Sequence, residues 1–307
     1  MKPKILLIVG PTASGKKSAA FKTAEMFGGE IISADSRKVY RYLDIGTAKP
    51  SCEARENIHY HLIDIVNPDE PFSAGEWVLR ASEAVNGVLS RGRLPIISGG
   101  TGFYVKAFKE GLTEGISPDP EVREILTREL TEKGAFSLFR KLVKIDPKRA
   151  AELHENDSFR IMRALEVFFT TGKTFTAFRE NNKISGGDYD YFTIGTAIER
   201  NDLYKYIDKR ADDMISKGLL DELNTVLNMG YSRDLTALDT VGYKEWFPYL
   251  DGKMTFETCL EQMKRDTRQY AKRQLTWFRA MKEIQWIDPT ILAEIETKFK
   301  EVELWLT

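Results

Sequence analysis

The chain has 307 residues, 42% hydrophobic and 30% charged, which excludes disordered and collagen-like classes. At about 150 residues per domain it argues for one large or two modest domains. Lysine plus arginine number 45 against 46 acidic residues, a net charge of −1; a uniformly basic nucleic-acid coat is excluded, while locally basic faces stay open. The longest aliphatic run, Ile5 to Val9, falls far short of the ~20 residues needed to span a bilayer. Cys52 and Cys259 are too few for a disulfide scaffold or a four-cysteine zinc site. A soluble cytoplasmic protein is the expectation.

In chain order, residues 4–9 (KILLIV) read as a buried strand, followed by a glycine-rich turn and a helix to about Phe27. Residues 30–35 (EIISAD) and 61–66 (HLIDIV) read as further strands, and 74–90 as a helix capped by Ser73. Residues 94–98 (LPIIS) form another buried strand that ends in Gly99-Gly100-Thr101-Gly102. Strands interleaved with helices predict a parallel α/β sheet that binds ligands at its carboxyl edge. From about 119 to 180 the pattern is helical and charge-rich; a strand returns at 189–198, and the rest is helical apart from a short strand at 285–287. The expected organisation is a core of 1–118 and 182–307 interrupted by an all-helical insertion, 119–181.

Gly10-Pro11-Thr12-Ala13-Ser14-Gly15-Lys16 fits G-x4-GK between a strand and a helix. Glycines permit the tight loop, backbone N–H groups face phosphates and Lys16 adds a point charge. Average composition gives roughly 0.1 chance matches in a chain of this length. A phosphate loop then wants Ser or Thr, whose hydroxyl holds magnesium. Here that residue is Lys17, and Ser18 lies about 100° further round the helix.

Asp35-Ser36 follows the second strand and leads into Arg37-Lys38-Val39-Tyr40-Arg41. A carboxylate at a strand's carboxyl end, facing a phosphate loop, suits a general base; a turn cap is the other reading of the same residue. In the segment 263–282, Arg265, Arg268, Lys272 and Arg279 fall within an arc of roughly 60°, with Met263, Tyr270, Trp277 and Met281 nearly opposite. The pattern predicts a helix with a basic face able to track phosphates.

GPTASGK, DSRKVYR, LDIGTAKP, HLIDI, SGGTGFY, ALDTVGYKE and RQYAKRQLTWFR, in this order, resemble the tRNA dimethylallyltransferase (tRNA isopentenyltransferase) family over nearly the whole chain. The resemblance implies a P-loop NTPase-like parallel sheet flanked by helices, with an all-helical insertion domain that binds the tRNA anticodon region. It implies transfer of a dimethylallyl group from dimethylallyl diphosphate to the 6-amino group of the adenine at position 37 of tRNAs reading codons that begin with U. Asp35 matches the family's catalytic aspartate and Thr101 the threonine that orients the amine. Gly10, Pro11, Thr12, Ala13, Ser14, Gly15, Lys16, Lys17 and Arg210 match the diphosphate cradle. Ser36, Arg37, Lys38, Arg123, Phe159, Arg160, Ile161, Met162, Arg163, Gly242 and Tyr243 match RNA-contacting positions. The adenine must leave its stack to react, at a cost of a few kcal/mol. Magnesium, a monomer and no membrane partner are further expectations of the family.

The chain departs from the family pattern at particular residues: Lys17 replaces Thr, Lys38 replaces Gln, and Ser158-Phe159 replaces Pro-Gln. His59 and His61 are read as structural, and no metal-ligating set is assigned. The departures suggest a divergent bacterial paralogue. Three other readings compete: an adenylate isopentenyltransferase acting on free nucleotide, a small-molecule P-loop kinase, and a tRNA-binding paralogue with a weakened catalytic site.

Overall fold

The computed structural model describes residues 2–113, 119–181, 183–184 and 187–307. It divides the chain into two compact units, Met1–Phe108 with Gly187–Thr307, and Lys109–Gly186. Residues 118 and 182, where the sequence places two edges of the insertion, lie outside the described residues.

The larger unit is built on a six-stranded parallel sheet. Its strands are β1 (Lys4–Val9), β2 (Gly29–Ser33), β3 (Tyr60–His61), β4 (Leu94–Gly99), and, after the insertion's two-residue strands β5 (Leu112–Thr113) and β6 (Lys183–Ile184), β7 (Asp190–Thr196) and β8 (Gln285–Ile287). The order across the sheet is β3-β2-β4-β1-β7-β8. Ile5 to Val9 of β1 are fully buried, because parallel pairing to β4 and β7 with helices on the faces leaves neither side in water.

The helices of this unit are α1 (Lys16–Phe27), α2 (Cys52–Asn57), α3 (Ala74–Ser90) and α4 (Gly102–Glu110), which runs into the boundary between units. Those of the insertion are α5 (Pro120–Ile145), α6 (Pro147–Ala151), α7 (Ser158–Thr171) and α8 (Phe175–Asn181). The larger unit continues with α9 (Arg200–Ser216), α10 (Leu219–Asn228), α11 (Phe247–Leu250), α12 (Phe256–Arg279) and α13 (Leu292–Leu306). Ser73 caps α3 as its sequence predicts, its hydroxyl accepting the Glu76 N–H at 3.1 Å. One apolar cluster packs α1 and α13 against the sheet through Leu6, Ile8, Ile96, Ile194 and Val302. Another packs α9, α10 and α12 against the segment after β2 through Leu43, Leu223, Tyr243, Trp246 and Met263.

The third strand is shorter than the expected 61–66. Leu62 and Asp64 adopt φ of 60° and 58°, a left-handed backbone that leaves the ladder, and Val66 pairs only as an isolated bridge with Tyr40. The second strand ends at Ser33, which places Asp35 in the loop beyond it.

The insertion has its own core. Leu126, Leu138, Leu142, Ile161, Ala164 and Leu165 pack α5, α6 and α7 together. Within α5, Gly134 breaks the helix with φ 76° and ψ 169°. Among the described residues no helix is long and apolar enough to cross a membrane.

Candidate active site

A cleft of about 420 Å³ opens at the carboxyl edge of the sheet. Its floor is the loop after β1. Gly15, at φ 83°, turns the chain into α1 without capping it through a side chain, and the helix's first turn holds no acidic residue. The open N–H groups and the positive helix end make an anion site. Gly10 and Pro11 are buried beneath the surface, while Thr12 to Lys17 line the cleft. The buried Ser14 hydroxyl donates to the Pro11 carbonyl at 2.8 Å and lies 2.6 Å from Thr196 Oγ1, and the Ser14 N–H points at the same Pro11 carbonyl at 3.4 Å, so this residue braces the loop from within. Lys16 Nζ donates to the same Pro11 carbonyl at 2.9 Å.

Four cations converge here. Arg210 on α9 donates to Thr12 Oγ1 at 3.0 Å, Lys17 Nζ donates to the Lys49 carbonyl at 3.2 Å, and Lys38 Nζ lies 3.9 Å from Asp35 Oδ2. Burial, then repulsion from Lys38 and Arg210, pushes the Lys16 ammonium down to about 7. The same causes bring Lys17 to about 8. Burial also lowers Lys38, against the pull of Asp35. Such a cluster costs free energy until an anion enters it.

Asp35 Oδ1 accepts the backbone N–H of Arg37 at 3.0 Å and of Lys38 at 3.4 Å, so the residue caps its turn, while Oδ2 lies toward Lys38 at the cleft. Thr101 sits beside it. Its N–H donates to the Ala34 carbonyl at 3.1 Å, and its hydroxyl oxygen accepts the Ser36 N–H at 3.0 Å. Arg37 is tied by its guanidinium to the Thr236 carbonyl at 2.5 Å.

The wall opposite comes from residues 40–50. The buried Lys49 ammonium donates to the Tyr40 carbonyl at 2.7 Å, to Asp44 at 2.6 Å and to Asp64, which also accepts from Arg55 at 2.7 Å. Glu222 on α10 accepts the N–H groups of Asp44, Ile45 and Gly46 at 2.8, 2.7 and 3.2 Å. Tyr243 is fully buried; its hydroxyl donates to Glu222 at 2.6 Å and accepts from Gly46 N at 3.1 Å. Tyr243 therefore offers no side-chain surface to an RNA, and its expected contact role is corrected to one of bracing the wall. Gly242 does line the cleft, its N–H held by Glu245 at 2.8 Å.

Sequence reasoning missed Gln274. Its side-chain oxygen accepts the Thr12 N–H at 2.8 Å, and its amide donates to the Gly100 carbonyl at 2.9 Å. A Cβ on Gly100 would overlap that amide, so this position needs glycine. The signal lay in a glutamine inside a helix otherwise rich in charge. The expected stripe of α12 also shifts. Met263 is buried, but the buried face continues through Ala271, Gln274 and Phe278, while Tyr270 turns to the cleft and Trp277 stays half-buried. Its basic face is partly neutralised: Arg268 pairs with Asp208 at 2.7 Å and Lys264 with Asp212 at 2.8 Å, leaving Arg265, Lys272 and Arg279 exposed.

In the insertion, Phe159 is 74% exposed at the start of α7. Arg160 pairs with Asp157 at 3.0 Å, and Arg123 and Arg163 flank the buried Glu166 at 3.3 and 3.2 Å. Ile161 is fully buried in the insertion's core and Met162 packs against it. The expected RNA-contact role is therefore corrected for the Ile161 side chain. In the larger unit, His59 and His61 lie beside Glu30, whose carboxylate accepts from His61 at 2.7 Å and from Arg91 at 2.7 and 3.0 Å. Two arginine hydrogen bonds on that carboxylate favour a structural ion pair over a metal ligand.

The loop does not fit the magnesium that the resemblance implies. Lys17 stands where a hydroxyl would hold it, and Ser18 lines a separate depression with Lys22, Tyr206 and Pro289.

The fold and sequence have close parallels. The chain is 44% identical over 287 residues to a tRNA dimethylallyltransferase of Geobacter sulfurreducens, covering 94% of this chain and 92% of that one. It is 42% identical over 301 residues to one from Thermotoga maritima, covering 97% of each. Among solved structures, a tRNA isopentenylpyrophosphate transferase from Bacillus halodurans superposes with a TM-score of 0.72 at 39% identity, over 99% of this chain and 96% of that one. A eukaryotic dimethylallyltransferase acting on tRNA superposes with a TM-score of 0.82 at 28% identity, over 98% and 78%. The family model described as IPP transferase matches residues 38–281, and with that span and these identities the chain belongs to the IPP transferase family.

Proposed function

We propose that this protein transfers a dimethylallyl group from dimethylallyl diphosphate to the 6-amino group of adenosine at position 37 of tRNAs reading codons that begin with U. The observation that carries the reading is the convergence of Lys16, Lys17, Lys38 and Arg210 near the carboxylate of Asp35, at the mouth of an uncapped helix. Cations and open N–H groups suit the diphosphate, and Asp35 suits the amine.

An exocyclic adenine amine is a poor nucleophile because its lone pair is delocalised into the ring. As that pair forms the bond to C1 of the allyl group, the C1–O bond breaks and its electrons leave with the diphosphate. Asp35 Oδ2 takes the amine proton. The charge that develops on the diphosphate meets Lys16, Arg210 and the loop's N–H groups, which are already oriented before the reaction. Thr101 is fixed beside Asp35 by the Ser36 N–H, where its hydroxyl can orient the amine.

The insertion, with Phe159, Arg160, Arg163 and Arg123 on its surface, is proposed to hold the anticodon region, Phe159 supplying a face on which an unpaired base can stack. The reading extends to a monomeric enzyme working in the cytoplasm, where tRNA is processed.

The test is direct. Purified protein is incubated with dimethylallyl diphosphate and an unmodified tRNA, and the digested RNA is searched by mass spectrometry for prenylated adenosine. Product at position 37 that disappears in Asp35→Ala supports the reading. Product on free adenylate but not on tRNA overturns it.

A further inference from the structure

Where a phosphate loop keeps a hydroxyl for a divalent cation, this chain keeps an ammonium. Lys17 Nζ is tethered by one hydrogen bond, to the Lys49 carbonyl at 3.2 Å, and its other hydrogens remain for an anion. The tether draws the side chain over the cleft, close enough to feel Lys38 and Arg210. The next hydroxyl, Ser18, lines a different depression.

Among the described residues, the carboxylates lining the cleft are Asp35 and Asp239. Asp35 spends Oδ1 on two backbone N–H groups and holds Oδ2 3.9 Å from Lys38. Asp239 lies 3.5 Å from Lys244. A divalent cation entering here would meet Lys16, Lys17, Lys38 and Arg210 against two carboxylates that already face lysines, and the like charges repel it. A diphosphate meets the same groups as partners.

We propose that the Lys17 ammonium stands in for the divalent cation on the diphosphate, so that this chain binds the allylic diphosphate and expels its leaving group without a bound metal ion. The inference rests on the donor assigned under the proposed function. Lys38 adds a second cation on the Asp35 side, so the charge a metal would neutralise is met by two fixed ammonium groups. When the C1–O bond breaks, its electron pair passes to the diphosphate oxygen, whose charge is met by N–H hydrogens of Lys16, Lys17 and Arg210.

The experiment uses inorganic pyrophosphate as the probe, titrated calorimetrically into the full chain in chelator and in magnesium. Wild-type affinity is expected to agree within about threefold between the two conditions, and a larger loss in chelator overturns the proposal. Lys17→Met, which keeps the unbranched stem and removes the ammonium, is expected to bind at least about tenfold more weakly in both, ~1.4 kcal/mol. Lys17→Thr, which restores the hydroxyl, is expected to bind weakly in chelator and to recover in magnesium. If Lys17→Met binds as wild type does, the proposal falls.

Prenylated adenosine is measured in parallel under both conditions. Product in magnesium alone overturns metal-free turnover and leaves the proposed function standing. Product in neither condition overturns the proposed function, and the pyrophosphate titrations still decide the role of Lys17.

Discussion

Gln274 holds Thr12: the side-chain oxygen accepts the Thr12 N–H at 2.8 Å while the amide end donates to the Gly100 carbonyl at 2.9 Å. One buried side chain on α12 thus sets the spacing between the loops after β1 and β4. Gln274→Ala leaves both backbone groups unpaired, and a loss of about 1–3 kcal/mol in stability is expected. Pyrophosphate affinity should fall with it, because Thr12 also carries Arg210. Urea denaturation and calorimetry check the two effects.

Asp35→Asn keeps an oxygen that can accept the Arg37 N–H but cannot take a proton. Prenyl transfer is expected to drop by about 10²-fold or more, with pyrophosphate binding retained. Single-turnover product formation against binding isotherms separates the two.

The lysines of the loop predict opposite pH trends for the free and ligated protein. With Lys16 at about 7 in the folded chain against an ordinary 10.5, the unfolded chain binds more protons between those values. Stability of the ligand-free protein should therefore rise as pH increases from about 7 toward 10. Pyrophosphate binds the protonated form, so its affinity should fall over pH 7 to 9, and binding below that range should need no proton uptake. Melting curves and titrations in buffers of different ionisation enthalpy test the signs.

Glu245 behaves the other way. Burial pushes it up to about 7, and one of its oxygens has no partner. The folded chain then binds more protons than the unfolded between about 4.5 and 7, so stability is lost as pH rises through that window. Glu245→Gln keeps the acceptor for Gly242 N and is expected to flatten this slope, with a gain of about 1 kcal/mol at pH 8. The pH dependence of the urea midpoint measures it.

Phe159 and Ile161 are two residues apart on α7 yet should fail differently. Phe159→Ala is expected to leave stability within about 0.5 kcal/mol and to weaken tRNA binding by about 1 kcal/mol or more. Ile161→Ala removes a fully buried side chain and should cost about 2–4 kcal/mol of stability. Melting and filter-binding assays on both variants decide whether the exposed ring faces RNA.

The sheet was legible because buried parallel strands are short aliphatic runs: 4–9 matches its observed bounds, and 94–98 stops one residue short of the end of β4. The third strand was not, since 61–66 (HLIDIV) reads as another apolar run, while the left-handed backbone at Leu62 and Asp64 and the pairing of Asp64 with Lys49 and Arg55 depend on residues outside it. The phosphate loop and Asp35 were visible as local motifs. Gln274 and the bracing role of Tyr243 were not, because their partners lie 262 and 197 residues away in Thr12 and Gly46. Ile161 was misplaced for a related reason: a motif names a segment, while helical geometry alone decides which of its side chains turn inward.

The wall of residues 40–50 has little regular structure, yet it is held from behind by Lys49, Asp64, Arg55, Glu222 and Tyr243. What it displays is therefore tied to its shape. Ala48 faces the cleft from a left-handed backbone, φ 49°, and packs against the cluster of Tyr243 and Trp246, so a larger side chain there strains the frame along with the surface. A change of acceptor at this wall has to carry the scaffold with it.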